Sequence, residues 1–203
     1  MQLTLGLLVG IGKHELLLIA TCCPGHIGDC LLGLAAWPPG SVKREFHSTP
    51  KGLLHFIYHG DVAKKSPLVF FHAHPRSTEQ FKTLAAALPA SQSYIGIDYF
   101  GVGSSDECLC DEAADEFVTY QQFAAYALEI CDKLGARSIV PFGALTGASP
   151  AIEFAGLLAA RGRHSIRKMI LFEAYWLKPA ALDYVRPWLL SIPTSLILLV
   201  LPA

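Results

Sequence analysis

Charge is scarce in this chain. Charged residues make up 16% of its 203 positions, and the 16 Lys and Arg nearly cancel the 17 Asp and Glu, leaving a formal net charge of −1. A chain without a basic excess has no global field to draw it to nucleic acid, so a nucleic-acid partner is excluded on charge. No internal repeat is visible, which excludes solenoids and propellers. Cysteine is too sparse, at 6 residues, for a small disulfide scaffold, so buried or free thiols are expected, with Cys108 and Cys110 as surface thiols. Neither has His or Cys neighbours at metal-ligand spacing, and no metal or cofactor is expected. What is abundant is apolar: 52% of the residues are hydrophobic, which rules out disorder for most of the chain. So apolar a chain must bury unusually well, lie beside a membrane, or lack the polar parts of a larger fold.

Residues 1–40 read as an apolar extension, either unpacked or a signal or anchor. Two apolar runs, 3–12 and 16–23, are split by Lys13, His14 and Glu15, and each is too short to span a bilayer. A cytoplasmic location is expected, with secretion or membrane attachment as the alternatives. Regular patterning begins after Trp37-Pro38-Pro39-Gly40 and defines a domain over 41–203. Segments 41–47 and 53–59 flank the Pro50-Lys51-Gly52 turn and predict a hairpin. Leu68–Phe71 and Tyr94–Ile97 are short apolar runs of the kind found in strands buried on both faces. Between them, Phe81, Leu84, Ala85 and Leu88 share a helical face. Six carboxylates and no cation between 106 and 116 predict a solvated loop. The three- and four-residue spacing from Phe117 to Leu134 predicts a helix stopped by Gly135. A strand over 138–142, a helix over 146–161 stopped by Gly162 and a strand over 168–172 follow. Alternating strands and helices with buried strands mean an α/β fold, its sheet mostly parallel and covered on both faces.

Open parallel sheets bind ligands beyond the carboxyl ends of their strands, so the residues just after each strand matter most. Here these are His72-Ala73-His74-Pro75, then Asp98 through Ser105, then Gly143-Ala144-Leu145-Thr146-Gly147, then Glu173-Ala174. In this order they resemble the turns of the α/β-hydrolase superfamily: His-Gly-x-Pro, Asp-x-x-Gly-x-Gly-x-Ser, and the Gly-x-nucleophile-x-Gly elbow. The resemblance covers about residues 42–178 and is nearest to the haloalkane dehalogenase and epoxide hydrolase branch.

That resemblance implies an α/β-hydrolase fold, and it implies roles. The nucleophile position is occupied by Leu145, which has no lone pair with which to attack a substrate. Thr146 reads as a helix N-terminal residue and Ser149 as a packing residue. Backbone N–H groups of His74 and Thr146 fall at the two oxyanion-hole positions. Glu173 is the candidate catalytic acid, His72 a structural residue under its loop, and Asp98 a brace for its own turn. The family's late catalytic histidine has no counterpart, because the last histidine, His164, falls before a strand and reads as a solvent-facing loop residue. Pro141 removes a ladder donor from a central strand and predicts a local disruption there.

After Glu173 there is room for one helix around 183–190 and one apolar run over 195–201, less than the resemblance calls for. The expectation is a C-terminally incomplete α/β-hydrolase domain, catalytically impaired but retaining an oxyanion-type cleft. A small apolar ligand, or a membrane or partner chain meeting the N-terminal or C-terminal apolar segments, is the expected kind of partner. An active hydrolase of a small ester, epoxide or haloalkane with a non-standard nucleophile, and a membrane-associated or partner-binding protein, stay open as alternatives.

Overall fold

The computed structural model describes residues 37, 42–109, 117–166 and 168–172, together with the strand residues 5–6, 19–20 and 197–200. Two short strands, β1 (Leu5–Gly6) and β2 (Ile19–Ala20), pair with each other. The remaining strands form one sheet. The predicted hairpin is there as β3 (Val42–Thr49) and β4 (Gly52–His59), paired along their full length from Val42↔His59 to Thr49↔Gly52. Strands β5 (Leu68–Phe71) and β6 (Tyr94–Ile97) occupy the segments expected and are buried throughout. Then come β7 (Ser138–Ala144), the two-residue β8 (Ser165–Ile166), β9 (Met169–Phe172) and β10 (Ile197–Val200). The order across the sheet is β10-β9-β7-β5-β6-β4-β3, with β8 beside β7. β3, β4 and β6 are joined by antiparallel ladders and every other pairing in this sheet is parallel.

The core divides as a pleated sheet requires, with successive side chains facing opposite ways. Val69 and Phe71 of β5 and Ile95 and Ile97 of β6 join a cluster with Phe123, Leu128, Phe154 and Leu158. These last four lie on α2 (Tyr120–Lys133) and α3 (Ala148–Arg161). Leu68 and Phe70 instead meet Tyr94, Phe81 and Ala85, with Trp37 packed against them. Phe81 ends a 3-10 turn, Thr78–Phe81, that leads into α1 (Lys82–Ala87), and its ring stacks on Phe70 at a centroid distance of 4.5 Å. Trp37 donates from Nε1 to Glu79 Oε1 at 2.9 Å, so the chain is already attached to this layer before the hairpin begins.

Helix α2 starts three residues later than its apolar spacing suggests. Thr119 and Gln122 form a capping box, which satisfies donors at the helix start and sets the boundary at Tyr120. Phe117 then lies outside the helix, 72% exposed, and Tyr120 is also exposed, so the two aromatic residues at the head of the apolar pattern do not belong to the core.

The disruption expected at Pro141 takes the form of a register break. Val140 donates its N–H to Pro67 O on the β5 side, so the missing Pro141 donor faces the opposite neighbour. On that side Ile139 pairs with Ile166 and Phe142 with Ile170. Three steps along β7 therefore face four steps along its neighbour, which is split into β8 and β9 at this point. The pairing with β5 runs through without interruption from Val140 to Gly143.

Candidate functional site

The chain passes from β5 to β6 on one side and then crosses back to β7 on the other, so β5 stands where the strand order reverses. Open α/β sheets carry their crevice at such a point, at the carboxyl ends of the strands. Phe71 pairs with Gly143, and this register sets His72, Ala73 and His74 alongside Ala144, Leu145 and Thr146. Two of the motifs singled out in the sequence therefore meet, although about 70 residues of chain separate them.

The turn after β7 has the sharp geometry of a strand-to-helix elbow. Leu145 is the one non-glycine residue with positive φ among those described, at +53°, a region that disfavours side chains with a Cβ. It opens a 3-10 turn, Leu145–Gly147, which runs straight into α3. The flanking glycines are required by space. A Cβ on Gly147 would drive into the Phe71 carbonyl oxygen, and one on Gly143 would come within 2.6 Å of the Ala148 Cα and the Gly147 carbonyl oxygen. The turn therefore keeps glycine where its backbone is crowded, yet places a partly buried leucine at its tip.

The turn after β5 is held by one side-chain hydrogen bond of its own and by three to neighbouring segments. His72 is fully buried; its Nε2 accepts from the Tyr99 N–H at 3.1 Å. The other nitrogen, Nδ1, is therefore the protonated one and donates to Ala73 O at 3.0 Å. Burial pulls the imidazole down to about 4, so His72 is neutral, with both nitrogens committed to the backbone. That arrangement fits the structural role expected for it. The Ala73 N–H donates to the Gln80 side chain at 2.9 Å. The His74 N–H donates to Oγ1 of Thr146 at 2.8 Å, and the His74–Pro75 peptide is cis. Thr146 thus does not cap its own helix, because its hydroxyl is turned across to the neighbouring strand end.

Asp98 is the brace that its position suggests. Its Oδ1 accepts from the Thr78 N–H at 2.7 Å, and its Oδ2 accepts from the Ser104 N–H at 3.1 Å and lies 2.8 Å from His55 Nδ1. Burial pushes this carboxyl up, but the hydrogen bonds from His55, Thr78 and Ser104 outweigh it and hold Asp98 below the usual carboxylate range. Gly103, at φ +63°, passes so close that any Cβ would collide with the carboxylate. Ser105 completes the unit, donating to Asp98 O and accepting from the His55 N–H. His55 was not singled out from the sequence; its signal is visible only once β4 and β6 are paired, with Phe56 opposite Ile97.

Other expected residues fall differently. Glu173, the candidate acid, lies outside the described residues. His164 is not solvent-facing: its side chain is 0% exposed, with Nε2 3.1 Å from Asp132 Oδ1 at the end of α2. It is shut in because the loop after Gly162 folds back to pair β8 with β7. Cys108 is not a free surface thiol, since it is disulfide-bonded. Cys131 is free and buried in α2, where burial pushes its thiol well up. Among the described residues no group of three His, Cys, Asp or Glu side chains is placed to hold a metal ion, and no helix is long and apolar enough to cross a membrane.

No protein-family model matches the chain, and none of the curated proteins compared with it matches. Solved structures do. The N-acyl homoserine lactonase AidH is 20% identical, with a TM-score of 0.53 over 64% of this chain and 44% of its own. The haloalkane dehalogenase DatA from Agrobacterium tumefaciens is 18% identical, with a TM-score of 0.52 over 72% of this chain and 48% of its own. The carboxylesterase CesB from Bacillus subtilis is 20% identical, with a TM-score of 0.54 over 78% of this chain and 52% of its own. The chain thus spans about half the length of the structures it matches. Identity this low speaks for architecture alone, and together with the strand order and the turn geometry it settles that architecture: the chain has the α/β-hydrolase fold.

Proposed function

We propose that this hydrolase-fold chain performs no nucleophile-based hydrolysis and uses the cleft between the ends of β5 and β7 to hold a small apolar ligand. The observation that carries this reading is Leu145, at φ +53° on the tip of the turn. In the superfamily that position presents the attacking Ser, Asp or Cys, and a hydrocarbon side chain there can form no acyl- or alkyl-enzyme. Neither of the two enclosed histidines, His72 and His164, is placed to serve as the base. His72 accepts a backbone N–H on the only nitrogen that could take a proton, and His164 is enclosed beside Asp132. Lactonase, dehalogenase and esterase activities belong to the matched structures and are not carried over to this chain. A leucine instead adds apolar surface to the cleft.

The test is covalent capture. The chain is incubated with a fluorophosphonate and, separately, with a haloalkane probe, and its intact mass is measured. No adduct is expected with either. A stoichiometric adduct mapping to the 143–149 segment overturns the proposal in favour of an active hydrolase with a non-standard nucleophile.

A further inference from the structure

Strand β3 closes its side of the sheet, with β4 as its one neighbour among the described residues. On β4 the backbones of Leu53 and His55 are turned away from β3, since Asp106 N donates to Leu53 O at 2.9 Å and Asp98 N to His55 O at 3.0 Å. In an antiparallel ladder the residues opposite these two, Ser48 and Phe46, turn their own N–H and C=O groups away from β4, and Arg44 follows by alternation. The outer edge thus presents donors and acceptors at Arg44, Phe46 and Ser48, a row that takes up a further strand. At the middle of that row stands Phe46, half exposed, its ring centroid 5.4 Å from that of the buried His55.

We propose that this edge is a docking surface for a second copy of the chain, the two β3 strands pairing antiparallel about a two-fold axis at Phe46. The order of charges along the strand selects both the occupant and the register. Lys43, Arg44 and Glu45 deter most pairings of such an edge. A pair centred on Glu45 opposes it to the partner's Glu45, and one centred on Arg44 opposes it to the partner's Arg44. Centring on His47 brings two histidines together and leaves Phe46 opposite the partner's Ser48. Centred on Phe46, the strands set Glu45 opposite the partner's His47 and Lys43 opposite the partner's Thr49, with no like charges opposed. On the other face the small Ser48 lies opposite the partner's Arg44, so the ion pair of Arg44 with Glu79 at 3.3 Å need not break in either copy. Phe46 meets the partner's Phe46, and with His55 and the partner's His55 they make a row of rings across the seam. A half-exposed aromatic residue is covered, and the outward backbone groups of Arg44, Phe46 and Ser48 gain partners.

The test is sedimentation velocity of the full chain at rising concentration, in which wild type is expected to shift from monomer to dimer. Two variants alter the edge without touching the β3–β4 ladder: Ser48→Pro removes an outward N–H, and Phe46→Lys sets two cations face to face. Each is expected to weaken association at least about tenfold while its circular dichroism stays that of wild type. Register is read by oxidation. Phe46→Cys is expected to form a disulfide-linked dimer beyond any that wild type gives, and Arg44→Cys and Ser48→Cys are not. A wild type that stays monomeric throughout overturns the proposal, as does a dimer that folded Ser48→Pro and Phe46→Lys form as readily. Crosslinking of Arg44→Cys or Ser48→Cys without that of Phe46→Cys overturns it too, because a different register would then join the copies.

Discussion

His55 and Asp98 face each other across 2.8 Å in the interior, with side chains 3% and 2% exposed. One comes from the hairpin and the other from the residue after β6, so this contact ties the antiparallel edge of the sheet to the turn that follows β6. Removing one partner strands the other in a place without water. Asp98→Ala is expected to cost about 3–5 kcal/mol, read from urea denaturation; a loss under about 1 kcal/mol would show that the carboxylate is not the anchor. Because the folded pKa of Asp98 is depressed, its contribution is complete above the ordinary carboxylate range. It is lost only as pH falls through the lower folded value.

His72 makes stability depend on pH over a different window. Its folded value is about 4 against 6.5 for the free side chain, so below pH 6.5 the unfolded chain takes up a proton that the folded chain refuses. Stability therefore falls as pH drops from 6.5 towards 4 and is flat in this respect below that. The loss is about 3 kcal/mol in full. His72→Gln, able to donate to Ala73 O and accept from the Tyr99 N–H, is expected to lack that slope. Urea midpoints of both proteins at pH 7 and pH 4.5 check this, and parallel pH profiles would refute it.

The two ends of the elbow are expected to respond oppositely to a change of one side chain. Gly147→Ala forces a methyl group into the Phe71 carbonyl and is expected to cost more than about 4 kcal/mol or to prevent folding. Leu145→Gly relieves a residue held at positive φ, worth about 1–2 kcal/mol, against the loss of a partly buried side chain. It is expected to be neutral or slightly stabilising in thermal denaturation.

Cys131, fully buried with its thiol held protonated, is expected to resist iodoacetamide in the native protein and to react once urea unfolds it. Peptide mapping of the alkylated residue distinguishes the two states.

Much of the fold was legible because its central strands are short apolar runs bounded by turns: Leu68–Phe71 and Tyr94–Ile97 needed no more than that. Strand β7 runs two residues past the expected run, since the small residues Gly143 and Ala144 are held in it by pairing, Gly143 with both Phe71 and Leu171 and Ala144 with Phe172. The turns of the site were also legible, because crowded backbone leaves glycine at Gly143, Gly147 and Gly103 as a trace in the sequence. Partnerships were not. Thr146 meets His74 and His55 meets Asp98 through sheet register, which no local pattern encodes. The burial of His164 was missed for the same reason: a histidine among Arg161, Arg163 and Arg167 looks solvated until the strand pairing closes over it.

The missing donor at Pro141 divides the sheet into unequal cooperative blocks. From β3 to β7 each ladder is continuous, whereas β9 is joined to β7 by three residue pairs beginning afresh at Phe142. Such a seam is where a sheet opens first. In native-state hydrogen exchange the amides of β9 should open as a unit well before those of β5 and β6, and Leu145 lies one residue beyond the last pair of that seam. The elbow is thus mounted on the rigid block while one wall beside it can peel away.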